Sequence, residues 1–322
     1  MKRCISVVLV MVMSAVSFIS LRRNAPLMND HSDHSHATHR DLSIRSRKTK
    51  PRPNIFTFYE PLTQDVGGIQ GTGMSVKDDN LLLLTWQREW RKAGWNPIIL
   101  TLADAQNNVR YEEVMRTLEN LPFPGDSGKQ YNIFCFLRWL AMAYAGGGWM
   151  ADMDTFPLND FRADGFLLPN DGKLTVWDNV VPSLVSGSQM EYQRTALSMV
   201  KNLQLHLSDV FYSDMKALSS MSLGVDTRDL FVVRRDVLWG ELALNGKDKE
   251  TVSLWDKWTL EDCMILSRQR RAVHFAHRTM RLNERGAKDR AQIATDWLIM
   301  WRESCPQQVI NTQAMSTVSV VS

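Results

Sequence analysis

The chain has 322 residues, four cysteines, 44% apolar residues and a net charge of +3, a length that suits one large domain with appendages. Its positive charge sits at the N-terminal end: Lys2 and Arg3, then eight Lys or Arg against three Asp over residues 22–53. From Asn54 onward the net charge is −4, which argues against nucleic acid as a partner of the body.

The first segment, Cys4 to Leu21, runs 18 residues without a charge, just long enough to span a bilayer as a helix. It reads as an uncleaved signal anchor over residues 1–21. Ala15-Val16-Ser17 keeps a cleaved signal peptide as the alternative, and Arg22 and Arg23 on the far side weaken any orientation drawn from the charge rule. Both readings send the rest of the chain into the secretory lumen. Residues 22–53 are rich in Ser, Arg, Lys and His and hold too few large apolar residues to build a core, so they read as a disordered basic stem. His31, His34, His36 and His39 form a His-rich tract within it, read here as stem rather than as a metal site.

The body, residues 54–305, opens with an expected strand at Ile55 to Tyr59. Gly67-Gly68-Ile69-Gln70-Gly71-Thr72-Gly73 matches neither the dinucleotide fingerprint nor the phosphate loop and is read as a Gly-rich loop. Asp79 to Ala93 is expected as a helix stopped by Gly94, with Trp86 and Trp90 on one face, in the core. A buried strand follows at Ile98 to Leu102, then a helix at Tyr111 to Glu119 and a loop at Pro122-Phe123-Pro124-Gly125. The alternation predicts an α/β fold, a single mixed sheet flanked by helices.

Tyr131 to Ala145 is almost wholly apolar, with Arg138 its single charge, and its length suits a buried helix. Gly146, Gly147 and Gly148 stop it. Trp149, Met150 and Ala151 read as a short buried strand that delivers Asp152 and Asp154. Pro157 forbids a long central strand beyond them. On extended backbone residues two apart share a face, so both carboxylates can reach one point, where a cation or protons must offset their repulsion. Oxygen ligands suit Mn2+ or Mg2+, and Arg138 can pair with a carboxylate or hold a phosphate.

Leu137 to Thr155, Leu-Arg-Trp-Leu-Ala-Met-Ala-Tyr-Ala-Gly-Gly-Gly-Trp-Met-Ala-Asp-Met-Asp-Thr, resembles the DXD block of sugar-nucleotide glycosyltransferases. The nearest type is the family of the yeast Golgi initiating α-1,6-mannosyltransferase and the α-1,4-galactosyltransferases. The specific match covers about 20 residues, with looser likeness from Asn54 to Met280. The family pattern has an acidic residue where this chain has Cys135. The resemblance implies a GT-A-like nucleotide-diphospho-sugar transferase fold and sugar transfer, with retention, from a UDP- or GDP-sugar donor. The acceptor would be a glycan, glycoprotein or glycolipid. It also implies a type II protein of the Golgi membrane with a lumenal catalytic domain, or a secreted or lumenal one if the first segment is cleaved. Asp152 and Asp154 would hold the cation and the donor, with Arg138 on the donor side.

Beyond the Asp pair, Leu174 to Trp177 is expected as a strand ending in Asp178, which the resemblance places on the acceptor side as a catalytic candidate. Ser186-Gly187-Ser188 leads to a helix from Gln189 to His206. Met215 to Met221 is helical with Asp214 as its cap, and Leu230 to Val233 reads as a strand. Glu261-Asp262 precedes a helical patch. Ala272 to His277 reads as a short strand, in which His274-Phe275-Ala276 resembles the late His-Phe-x-Gly segment of some DXD transferases, with His277 in place of the Gly. That likeness makes His274 the third metal ligand. Cys135 reads as a buried thiol, Cys263 with Cys305 is one pairing open in an oxidising lumen, and residues 306–322 read as a flexible tail.

Two other classes remain open. A haloacid-dehalogenase-type phosphatase needs Thr four residues after the first Asp, where this chain has Phe156. A non-catalytic lumenal protein that binds nucleotide-sugar or glycan is the alternative to an enzyme.

Overall fold

The computed structural model describes residues 51–62, 73–121, 123, 126–203, 213–223, 231–240, 243, 263, 266, 269–277 and 289–305. The expected anchor, residues 22–50 of the stem, residues 67–72 of the Gly-rich loop, Glu261-Asp262 and the tail from Pro306 lie outside them. Among the described residues no helix is long and apolar enough to cross a membrane.

Strand β1 (Asn54–Phe58) leads to helix α1 (Val76–Lys92) and strand β2 (Asn96–Leu100). The Ser75 hydroxyl accepts the Asp78 amide at the start of α1, Asp78 and Asp79 sit in its first turn, and Arg91 and Lys92 in its last, each sign of charge at the helix end that favours it. Helices α2 (Leu102–Gln106), α3 (Tyr111–Glu119) and α4 (Asp126–Tyr144) follow, then β3 (Gly147–Ala151) and β4 (Thr155–Pro157). Helix α4 begins five residues before the expected Tyr131 and takes Gly128 into its first turns.

A short helix, α5 (Ala163–Phe166), precedes β5 (Thr175–Asp178) and β6 (Val181–Ser188). Helices α6 (Gln189–Leu203) and α7 (Asp214–Leu223), strands β7 (Val232–Val233), β8 (Val237–Trp239) and β9 (Ala272–His274), and helix α8 (Arg290–Ser304) follow.

The sheet is mixed, in the order β2-β1-β3-β6-β5-β7. β6 runs against both its neighbours, and the other neighbouring pairs, β2 with β1, β1 with β3 and β5 with β7, are parallel. Successive residues face opposite sides and feed two cores. Ile55, Trp149, Trp177 and Leu184 pack with α1 and α8, whereas Phe56, Met150, Val176 and Val185 pack with α3, α4, α6 and α7. The chain is therefore an α/β protein with a mixed sheet flanked by helices.

The expectation of a single sheet is corrected. β4, β9 and β8 form a second, three-stranded sheet, built of strands too short for a residue period to reveal. Val181 to Ser188, part of which was expected as a Ser-Gly-Ser connection, is instead a central strand. Its Gly187 and Ser188 lie opposite Gly148 and Gly147 of β3, and the backbone around Ser188 leaves no room for a Cβ on Gly147.

An aromatic block fills the first core. Trp149 stacks on Trp177 with ring centroids 5.2 Å apart, and Phe161 and Trp95 pack edgewise or tilted around it. Trp86 and Trp90 are fully buried, as expected. Cys263 and Cys305 form a disulfide that ties the end of α8 back to the body, while Cys135 is only half-buried.

Gly146 and Gly147 both have left-handed backbone, at φ 94° and 78°, but their surroundings differ. A Cβ on Gly146 would meet nothing, whereas one on Gly147 would lie 2.4 Å from the Gln189 amide nitrogen. Gly146→Ala is expected to cost about 1–2 kcal/mol for its backbone conformation alone. Gly147→Ala adds a clash with backbone and is expected to cost about 3 kcal/mol or more, as read from urea unfolding. Equal costs would refute the close approach.

Candidate metal centre

The parallel strands set the location. β3 and β5 each end on the same edge of the sheet, and Asp152 and Asp178 stand at those ends. Beyond the carboxyl ends of strands is where open α/β sheets bind ligands, and the strand order turns at β1, between β2 and β3, beside Asp152.

Asp152 and Asp154 do meet, but not by strand alternation. The Thr155 amide bonds to the Asp152 carbonyl at 2.9 Å, closing a turn between β3 and β4 that holds both carboxylates. β4 then pairs with β9 in a register that sets Thr155 against His274, and the Phe275 amide donates to the Asp154 carbonyl at 2.9 Å. This small sheet, absent from the expected fold, carries His274 to the Asp pair. Ligand atoms of Asp152, Asp154 and His274 lie within 4.8 Å of one another, a possible metal-binding triad among the described residues.

Each member of the triad has its own support. Arg138, on α4, donates from Nη1 to Asp152 Oδ1 at 2.5 Å and from Nε to Asp214 Oδ2 at 2.8 Å. Trp139 Nε1 reaches the same Asp214 oxygen at 3.0 Å, so Asp214 anchors α4 to α7 as well as starting α7. Arg290, at the start of α8, donates to Asp154 Oδ2 at 2.7 Å. His274 lies with Nε2 3.4 Å from Asp154 Oδ1 and Nδ1 3.0 Å from Asp178 Oδ2.

Asp178 is 2% exposed and takes Ser183 Oγ at 2.7 Å and Trp239 Nε1 at 2.6 Å. It is thus placed behind His274 rather than on an open acceptor face. A carboxylate on Nδ1–H fixes the tautomer that leaves Nε2 free for a metal. Gly73, the described end of the Gly-rich loop, lies against the His277 ring, and His277 is outside the triad.

Sequence reasoning missed Arg290 and Trp239, and it gave Asp214 only a capping role. All three act across long chain separations, and nothing local in the sequence marks them.

The electrostatics suit exchange of protons for a cation. Burial pushes Asp152 up to about 6, against Arg138 and with the neighbouring Asp154 adding to the rise. Burial also acts to raise Asp154, but His274 and Arg290 outweigh it and hold that carboxyl below the usual range. For His274 burial opposes the charge, yet the Asp154 and Asp178 carboxylates raise it to about 10. Without a cation, His274 therefore carries a proton near neutral pH. Four carboxylates, Asp152, Asp154, Asp178 and Asp214, then face Arg138, Arg290 and an imidazolium. With His274 neutral the cluster has two uncompensated negative charges, the complement of one divalent ion.

Fold and site together define an α/β protein with a candidate Asp, Asp and His metal site at the carboxyl edge of its sheet. The chain belongs to the family described as Domain of unknown function (DUF8765), whose model matches residues 35–233. That range includes Arg138, Asp152, Asp154, Asp178 and Asp214, and stops before His274 and Arg290. No curated protein and no solved structure matches the chain.

Cation binding must remove the His274 proton, so Mn2+ affinity is expected to rise with pH, by up to about tenfold per unit, between the Asp152 value of about 6 and the His274 value of about 10. The sign for stability is opposite. Ion pairing of His274 in the cation-free protein is whole below its ordinary 6.5 and is lost as pH rises through about 10. Calorimetric titration of Mn2+ in buffers of different ionisation heat reads both affinity and proton release. Asp178→Asn is expected to weaken Mn2+ by about 10–100-fold.

Proposed function

We propose that the chain is a divalent-cation-dependent glycosyltransferase with a GT-A-like fold, moving a sugar from a UDP- or GDP-sugar to a glycan, glycoprotein or glycolipid. The observation that carries the reading is the convergence of Asp152, Asp154 and His274 within 4.8 Å, at the end of the block that resembles the DXD transferases. The α/β class, the position at the carboxyl ends of parallel strands and the residual negative charge support it.

On this reading Asp152, Asp154 and His274 hold Mn2+ or Mg2+, and a bound divalent ion supplies positive charge beside a departing diphosphate. Arg138 fixes Asp152 from α4, Arg290 fixes Asp154 from α8, and Asp178 orients His274. With its guanidinium shared between Asp152 and Asp214, Arg138 supports the donor side chiefly by bracing a ligand carboxylate. Retention at the anomeric carbon comes with the resemblance, and no protein nucleophile is assigned. The lumenal, Golgi-type location and membrane attachment through the first segment belong to the same proposal.

The full-length chain, incubated with a panel of UDP- and GDP-sugars and Mn2+, is expected to release nucleoside diphosphate from one donor. Chelator should abolish the release, and Asp154→Asn should lower it on the order of 100-fold or more. Release that persists unchanged in chelator would overturn the reading. Donor binding without any release would favour the non-catalytic alternative.

A further inference from the structure

An open cleft of about 960 Å³ lies beside the first core. It is lined by Trp177 and Arg271, by the segment from Phe166 to Gly172, and by Asp164 and Asp236. Arg271 is three residues before His274, which puts the two about 10 Å apart along an extended chain. None of the three candidate metal ligands lines the cavity.

Its chemistry is specific. The Arg271 guanidinium stacks over Trp177, 4.2 Å from the ring centroid. It also pairs with Asp164 at 2.5 Å and Asp236 at 3.4 Å. This cation is already matched by carboxylates, so it is poorly placed to clamp a phosphate. The carboxylates of Asp164, Asp171 and Asp236 outnumber the guanidiniums of Arg234 and Arg271 on the walls, so an anion would enter against net negative charge. Free lone pairs on carboxylates accept hydrogen bonds from hydroxyls.

Apolar surface stands at the rim. Phe166 and Leu167 are 61% and 81% exposed, an aromatic face and an aliphatic one beside the acceptors. The wall between them and Gly172 turns at Asn170 and Asp171, which both lie in the left-handed region, at φ 54° and 56°, a conformation that Asn and Asp adopt more readily than other side chains. Asn170 Nδ2 bonds Thr175 Oγ1 at 2.9 Å, fixing that wall to β5.

We infer that this cavity is a binding site for a neutral oligosaccharide, its hydroxyls bonding to Asp171 and its neighbouring carboxylates and one ring face resting on Phe166. The volume lies near the top of the range for small-molecule clefts, about 300–1,000 Å³, with room for about two or three sugar rings. The site does not depend on the transfer reading, because a chain that binds glycan without transferring sugar would have it too.

Saturation-transfer NMR on the full-length chain tests it, with maltotriose, α-1,6-mannotriose and xylotriose as neutral probes and UDP as an anionic one. At least one neutral trisaccharide is expected to bind in the presence of chelator. Its affinity should fall about tenfold or more in Phe166→Ala and in Asp171→Asn, two exposed positions outside the buried core. Binding by none of the three to natively folded protein would overturn the inference. So would binding that ignores both substitutions, or that disappears with chelator and so belongs to the metal centre.

Discussion

Two carboxylates held in one tight turn repel each other, and the architecture around Asp152 and Asp154 compensates that repulsion. Four elements far apart in the chain converge on it. Arg138 comes from α4, Arg290 from α8, His274 from β9, and Asp178, which steadies His274, from β5. Breaking one partner of a buried ion pair typically costs about 3–5 kcal/mol. The turn is therefore stable only when the whole fold is assembled, and the fold in turn encloses a cluster whose carboxylates and imidazole could hold a divalent ion.

The two sheets divide the labour. The six-stranded sheet sets Asp152 and Asp178 on one edge, using Gly147 to let the end of β6 lie close to β3. The small sheet fixes the third candidate ligand by register, since Thr155 opposite His274 leaves the imidazole little choice of place. Trp239, opposite His274 on β8, closes the support around Asp178. The aromatic block of Trp149, Trp177 and Phe161 stiffens the floor that both sheets share, and the Arg271 guanidinium packs over all three rings.

Much of this was legible in the chain itself. An apolar run of helical length, a triple glycine and a buried tripeptide before Asp152 are local signals, and the helix, the strand and the Asp pair follow from them. His274 was visible only through likeness to a short motif. The small sheet was not, because three-residue strands carry no usable period. β6 was half hidden for another reason. Its Ser-Gly-Ser end resembles a connection, yet those residues pair with Gly147, Gly148 and Trp149 of β3. Arg290, Trp239 and the double role of Asp214 were invisible because their partners lie 136, 61 and 76 residues away.

The central claim is that Asp152, Asp154 and His274 hold a single divalent ion. Pulsed electron paramagnetic resonance of the protein with one equivalent of Mn2+ tests it most directly, since a ligating imidazole couples its nitrogen to the manganese spin. The account predicts a nitrogen coupling that disappears in His274→Ala, with Mn2+ still bound more weakly by the carboxylates. Bound Mn2+ with no nitrogen coupling, or a coupling untouched by that substitution, would contradict it.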